Sequence, residues 1–308
     1  MAAAWHIFTG TGDPAREADA WRALPDAPPW RDRATAVERF VIGPELLDAV
    51  NTALYLRRPL LLTGAPGSGK STLVARIAAE LQLGEPLEWH ITSRSTITDG
   101  LYQYDALGRL HATQAQAATG TEVERFVTLG PLGTALAARD RPRAVLIDEI
   151  DKIDFDLPSD LLTVLEQGEF DIPALVRAAG AAHRVRGADR AMYDVTGGVV
   201  HRTHWPVIVF TSNGERTFPA PFLRRCVRFE MPTATETFIR DVVAGHLPGV
   251  EDTHREEIYR FAQRLVEGDN LALDQLLNFL HLVSGEPAPD GDARERVGRI
   301  LLEELNGK

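Results

Sequence analysis

The chain has 308 residues, 44% of them hydrophobic and 25% charged, which is ordinary for a globular protein with one large domain or two smaller ones. Its formal net charge of −11 argues against direct nucleic-acid binding, because proteins that grip DNA or RNA neutralise phosphates with a basic face. No apolar run is long enough for a membrane span, the first residues do not resemble a secretory signal, and a single cysteine excludes an intrachain disulfide. We therefore expect a cytoplasmic protein without a membrane partner.

Residues 1–40 are rich in Trp, Pro and Ala, a composition that predicts an extended arm whose tryptophans pack onto the rest of the protein. From Gly43 onward the spacing of apolar residues predicts a helix. The apolar positions that carry this helical pattern are Leu46, Leu47, Val50 and Leu54.

Five short apolar runs follow, separated by helical stretches. They cover residues 59–63, 87–92, 144–147, 207–211 and 227–231. Runs that are almost continuously apolar fit strands buried on both faces, as in a parallel sheet covered by helices. The sequence therefore predicts an α/β domain over residues 41–232.

The pattern changes after Pro232, where four segments with helical spacing follow and no strand pattern remains. Gly245, Gly268 and Gly285 lie near the ends of the first three segments, as expected for helix termini. Residues 233–308 are therefore predicted to form a small helical lid domain.

The stretch GAPGSGKST at residues 64–72 matches the pattern G-x-x-x-x-G-K-[ST] at every fixed position. A glycine-rich turn with a chance lysine is the alternative, but the strand before it and the helix after it favour a phosphate-binding loop. Lys70, one of only three lysines in the chain, would contact the β- and γ-phosphates, and Ser71 would bind Mg²⁺. The residues expected at the nucleotide are Gly64, Ala65, Pro66, Gly67, Ser68, Gly69, Lys70, Ser71 and Thr72.

A second element is the apolar run at residues 144–147, which ends in two carboxylates. Asp148, at the tip of the strand, would bind Mg²⁺ directly or through water. Glu149 would act as the general base for the attacking water. The chain has no N-K-x-D segment for guanine, so we expect ATP rather than GTP.

Two further candidates follow along the chain. The strand at residues 207–211 leads to Asn213, which would hold the attacking water or, alternatively, cap a turn. Arg224 and Arg225 precede the last strand and would be either solvated charges or an arginine finger for the γ-phosphate. Nearby, Cys226 is expected to be a buried structural thiol, and Lys152 to contact a neighbouring subunit or an acid among Asp148, Asp151 and Asp154.

The order of these motifs resembles AAA+ ATPases. Within that group, residues 93–110, 128–152 and 212–226 resemble the MoxR-like branch. The resemblance extends over roughly residues 38 to 285 and implies a P-loop NTPase sheet of order 5-1-4-3-2, with the predicted strands numbered along the chain. It also implies an insertion in helix 2 at about residues 94–126, with Ile42 and Gly43 near the adenine.

The resemblance also implies an oligomeric ring, expected to be a hexamer, in which each site is completed by a neighbour's arginine. Arg225 matches the finger position best, and Arg224 is the fallback. Relatives of this branch work with von Willebrand factor A domain proteins as chaperone-like remodellers. The stretch at residues 212–226 resembles ATPases of bacterial conflict and defence islands, which implies a bacterial protein.

One departure from the family pattern concerns the basic residue called sensor 2, which relatives carry where the third lid helix begins. This chain has no Lys or Arg between Glu267 and His281. The leading hypothesis is an ATP-hydrolysing ring that remodels or switches a protein partner. The alternatives are an ATP-gated scaffold with little turnover and a motor subunit serving a nucleic-acid effector.

Overall fold

The computed structural model describes residues 5–8, 24–114, 122–153, 157–178, 180, 182–232, 235–267, 269 and 271–303. The chain divides into two compact units. The sheet unit comprises residues 42–64 and 73–231, and the helical unit comprises residues 1–41, 65–72 and 232–308. Among the described residues, no helix combines the length and the apolar character that crossing a membrane requires.

Every strand of the described chain belongs to the sheet unit. The strands are β1 (Leu60–Thr63), β2 (Leu87–His90), β3 (Tyr102–Tyr104), β4 (Val127–Leu129), β5 (Ala144–Asp148), β6 (Glu169–Asp171), β7 (Ala182–Arg186), β8 (Met192–Thr196), β9 (Val199–His201), β10 (Val207–Ser212) and β11 (Val227–Glu230).

The helices are distributed over both units. They are α1 (Arg33–Glu38), α2 (Pro44–Leu56), α3 (Lys70–Glu80), α4 (Ile97–Leu101), α5 (Ala106–Gln114), α6 (Pro131–Ala137), α7 (Leu157–Gln167), α8 (Pro173–Val176), α9 (Ala220–Leu223), α10 (Glu236–His246), α11 (Val250–Thr253), α12 (Arg255–Glu267), α13 (Leu273–Ser284) and α14 (Gly291–Leu301).

The central sheet is parallel and has the order β11-β1-β10-β5-β2. Its members are the five predicted strands, so numbering them along the chain gives 5-1-4-3-2 and confirms the predicted α/β class and strand order. The strands β1, β5 and β10 are buried almost throughout, because helices cover both faces of a parallel sheet. All five carboxyl ends lie along one edge, which is where ligands bind in open α/β sheets.

A second sheet, of order β3-β4-β7-β8-β9-β6, was not predicted from the sequence. Its strands are short, and in β7 only every second residue, His183 and Val185, is buried. Gly197 and Gly198, both with positive φ, make the tight turn between β8 and β9. Tyr102 on β3 stacks on Phe170 of β6, with 6.3 Å between the ring centroids. Its ring therefore contributes to packing within this second sheet.

The helical unit has its own apolar core, built mainly from α10, α12 and α13. Trp5 and Trp30 pack against this core, and Trp30 makes edge contacts with the rings of His246 and His281. The helix α1 follows Trp30, and Asp32 caps its amino end by accepting a hydrogen bond from the backbone of Thr35. Trp21 lies outside the described residues.

Candidate functional site

The two candidate carboxylates stand at the carboxyl edge of the central sheet, at the end of β5. Thr211 on the neighbouring strand β10 is 1% exposed, and its hydroxyl donates a hydrogen bond to Oδ1 of Asp148. The same hydroxyl accepts a hydrogen bond from the backbone N–H of Glu149 at 3.0 Å. Nδ1 of His90, at the end of β2, lies 3.3 Å from Oδ2 of Asp148. Neighbouring strands on both sides therefore hold the Asp148 carboxylate.

Glu149 has a backbone conformation that is unusual for any residue other than glycine. Its φ of 58° and ψ of 45° place it in the left-handed region, which costs about 1–3 kcal/mol and is frequent at functional sites. Oε2 of Glu149 lies 2.6 Å from Nζ of Lys152. The hydrogen bond to Glu149 raises the pKa of Lys152. The hydrogen-bond partner of Lys152 is therefore Glu149, and not one of the three acids expected from the sequence. Of those three, Asp154 lies outside the described residues.

The predicted residue Asn213 lies at the same edge, directly after β10. Its backbone N–H donates a 2.9 Å hydrogen bond to Oδ2 of Asp151, and the N–H of Glu215 donates to the same oxygen at 3.1 Å. Asp151 is 2% exposed, and its other oxygen has no hydrogen-bond partner among the described residues. Asp151 therefore positions the turn that carries Asn213, a role that no local sequence pattern indicates.

The glycine-rich loop leaves the sheet at Gly64, whose N–H donates a hydrogen bond to the carbonyl of Ser212 at 3.2 Å. A Cβ at Gly64 would lie 2.8 Å from Cβ of Met231, so this position requires glycine. The rest of the loop, Ala65–Thr72, belongs to the helical unit. Within it, Lys70 is 7% exposed and begins α3, and its Nζ donates a 2.9 Å hydrogen bond to the carbonyl of Ala65.

The conformation of this loop fits a phosphate group. Gly67 and Gly69 have φ values of 72° and 83°, which only glycine adopts without strain. A Cβ at Gly69 would lie 2.5 Å from the ring of Phe40, and one at Gly67 would lie 3.0 Å from Oδ1 of Asp274. Oγ of Ser68 is buried without a hydrogen-bond partner among the described residues. Backbone N–H groups, the unsatisfied hydroxyl of Ser68 and the ammonium of Lys70 are donors of the kind that bind phosphate.

Ile42 and Gly43, expected near the adenine, lie just before α2, and Gly43 is the amino-terminal cap of that helix. Gly43 has an ordinary φ of −78°, and a Cβ there would meet nothing within 4 Å. Local backbone geometry therefore does not require a glycine at this position. A role at the adenine stays a prediction.

The arginine pair lies just before the amino end of β11, at the end of α9. Nε of Arg225 lies 2.8 Å from Oε1 of Glu166 on α7, and both side chains are about half exposed, at 48% and 56%. The backbone carbonyl of Arg224 accepts a hydrogen bond from Arg58. Since β11 runs parallel to β1 and spans about 10 Å, Arg225 stands near the amino edge of the sheet, opposite Asp148. Within one chain, the central sheet therefore keeps Arg225 apart from Asp148 and Glu149.

The neighbouring thiol of Cys226 is buried, and burial raises its pKa to about 12 although Arg58 and Arg228 act in the opposite direction. A thiol of this kind is not a nucleophile near neutral pH. The prediction of a buried structural thiol is confirmed.

More than half of the chain matches one known protein family. Residues 59–226 match the family described as "AAA domain (dynein-related subfamily)". The matched segment begins just before β1 and contains the glycine-rich loop, Asp148, Glu149, Asn213 and the arginine pair. No curated protein has a significant match to the chain. The domain implies nucleotide binding and ATP-driven activity in general, and the chain belongs to the AAA+ ATPases, in the dynein-related subfamily of AAA domains.

Proposed function

We propose that the protein binds ATP with Mg²⁺ and hydrolyses it. The observation that carries this proposal is the grouping of Asp148, Glu149 and Asn213 at the carboxyl edge of the central sheet, with Thr211 holding the first two. A pair of acids beside a polar residue on the next strand suits a bound cation and an attacking water.

Each residue has a distinct task in this proposal. The N–H groups of residues 64–72 and the ammonium of Lys70 bind the phosphates, and Ser71 and Asp148 hold Mg²⁺, which neutralises charge on the phosphates when bound. An Oε atom of Glu149 accepts the proton of the attacking water, and Asn213 orients that water. In the structure Lys152 occupies Oε2 of Glu149, so this base acts once that contact loosens.

The proposal includes assembly into a ring, expected to be a hexamer, with Arg225 serving the site of a neighbour. Its position at the amino edge of the sheet supports a role in trans, because the same chain's carboxylates stand at the opposite edge. Membership of the MoxR-like branch, a von Willebrand factor A domain partner and a role in bacterial defence rest on the three sequence stretches named above. These three proposals concern the family branch, the partner and the biological role, and the chemistry of the site does not depend on them.

The test compares Glu149→Gln and Lys70→Ala with the unchanged protein in ATP binding and ATP turnover. Glu149→Gln keeps binding and loses turnover by about 10²- to 10⁴-fold, because the variant removes the base alone. Lys70→Ala loses binding, because the loop has no second cation of its own. Glu215→Gln, which keeps the backbone N–H that contacts Asp151, is the control for loss of an acid at this edge. Full turnover in Glu149→Gln would exclude the proposed chemistry.

A second candidate function is a nucleotide-gated scaffold with little turnover. It is favoured by the segment between Glu267 and His281, which has no Lys or Arg where relatives carry the basic sensor 2 residue. Single-turnover ATP hydrolysis distinguishes the two functions. Tight binding with a rate close to zero supports the scaffold, and a rate of turnovers per minute or faster supports the ATPase.

A further inference from the structure

The helical unit places a carboxylate beside the phosphate-binding loop. The helix α13 begins at Leu273, and its first turn packs against Gly67 of the loop. A Cβ at Gly67 would lie 3.0 Å from Cβ of Ala272, 3.0 Å from Oδ1 of Asp274 and 3.4 Å from the backbone nitrogen of Leu273. These contacts are tighter than most Cβ contacts, and the positive φ of Gly67 adds strain to any substitution there. The loop and the first turn of α13 are therefore in direct contact.

The carboxylate of Asp274 is exposed, and no ion pair or hydrogen bond involves it within the described parts of the chain. The nearest acid along the chain, Asp269, is by contrast paired with Arg264 at 2.6 Å. No Lys or Arg occurs between Glu267 and His281 that could approach Asp274 from its own segment. A phosphate bound by the loop would consequently meet an uncompensated negative charge.

We propose that Asp274 weakens the binding of nucleotide phosphates to the loop and thereby speeds the release of nucleotide. This inference rests on the proposed nucleotide binding and assigns its regulation to the first turn of α13. Two like charges within several ångströms repel each other, and the repulsion grows with the number of charges on the ligand. The exposure of Asp274 to solvent moderates the effect. A cation at this place would have the opposite influence.

The test is the affinity of Asp274→Asn for a graded set of ligands: adenosine, AMP, ADP and ATP, measured at low ionic strength by titration. We expect affinity for ATP to increase about 3- to 10-fold, affinity for ADP to increase less, and affinity for adenosine to stay unchanged, since adenosine carries no phosphate charge. The gain should shrink as salt is added. Displacement of a fluorescent ADP should slow in the variant.

The chain offers a matched control in Asp292→Asn. Asp292 is the second residue of α14, as Asp274 is of α13, both side chains are exposed, and both helices belong to the helical unit. Each substitution removes the same favourable interaction with a helix amino terminus, so any general loss of stability is shared. Only Asp274→Asn is expected to change nucleotide affinity.

The outcomes separate this inference from the proposed function. Equal ATP affinity in Asp274→Asn and the unchanged protein, weaker binding in the variant, or an equal gain for adenosine would each overturn the role of Asp274 while leaving nucleotide binding intact. If no protein of the series binds any nucleotide and Lys70→Ala behaves like the rest, the proposed function itself fails, and the inference fails with it.

Discussion

At the scale of single residues, Thr211 connects the two acids that the sequence singled out. Its hydroxyl donates to Asp148 and accepts from the N–H of Glu149, and the latter residue has a left-handed backbone. A buried hydroxyl that serves two partners holds both in one geometry, because losing it leaves a donor and an acceptor unsatisfied. The positions of Asp148 and Glu149 thus depend on a residue that lies 63 and 62 residues further along the chain, respectively.

We predict that Thr211→Val lowers the free energy of unfolding by about 1–3 kcal/mol and reduces ATP turnover more than ATP affinity. The physical reason is that Glu149 loses its backbone partner while the phosphate-binding loop is untouched. Thermal unfolding and steady-state ATPase rates measure the two effects. The control is Thr163→Val, which removes an exposed hydroxyl bonded to the carbonyl of Ser159. A Thr211 variant that matches this control in both measurements contradicts the prediction.

A second prediction at this scale concerns the thiol of Cys226. Because burial raises its pKa to about 12, the folded protein keeps it protonated at pH 8, and a thiol reagent should not label it there. Labelling should become fast in denaturant, with one equivalent incorporated. Rapid labelling of the native protein at pH 8 would show that the thiol is accessible.

At the scale of elements, the contact between α7 and the end of α9 holds Arg225 through Glu166. Both side chains are about half exposed, and pairs of this kind contribute about 0–1 kcal/mol to stability. Losing the pair should therefore change the fold very little. Any large effect of an Arg225 substitution must come from what the guanidinium does elsewhere.

We predict that Arg225→Ala keeps ATP binding, loses hydrolysis by about 10³-fold or more, and leaves the melting temperature almost unchanged. Mixing it with Lys70→Ala should restore part of the activity, since an Arg225→Ala site can use the arginine of a Lys70→Ala neighbour. Glu166→Gln removes the ion pair and keeps Arg225, so it separates the two roles. If Glu166→Gln reproduces the loss of hydrolysis, Arg225 acts through its contact with α7 instead.

At the scale of the whole molecule, the proposed function requires that each active site take parts from more than one chain. If each site takes an arginine from a neighbour, the single chain is an incomplete enzyme. Activity per subunit then depends on assembly, which is governed by protein concentration.

We predict that the ATPase rate per subunit rises with protein concentration and reaches a plateau when the assembly is complete. Glu149→Gln provides the background rate, and light scattering recorded at the same concentrations reports the assembly. A constant rate above this background at all concentrations would show that each chain completes its own site. A rate equal to the background throughout would favour the nucleotide-gated scaffold.

Much of the architecture could be read from the amino-acid sequence. Three of the five strands of the central sheet, β1, β5 and β10, are almost continuously apolar, and this local composition already indicates strands buried on both faces. The second sheet escaped prediction because its strands are short, and strands such as β3 and β7 contain no continuous apolar run. Strands of three to five residues acquire their identity from their partners, which the local sequence does not contain.

The sequence by itself determined the α/β class, the loop at residues 64–72 and the acids at the end of β5. These features are carried by residues adjacent along the chain, so spacing and composition are sufficient to reveal them. Only the tertiary structure decided that Thr211 holds Asp148 and Glu149, that Asp151 positions Asn213, and that Asp274 contacts the loop. Each of these contacts joins residues brought together by the pairing of strands or the packing of helices, and this packing depends on the whole core rather than on any local pattern.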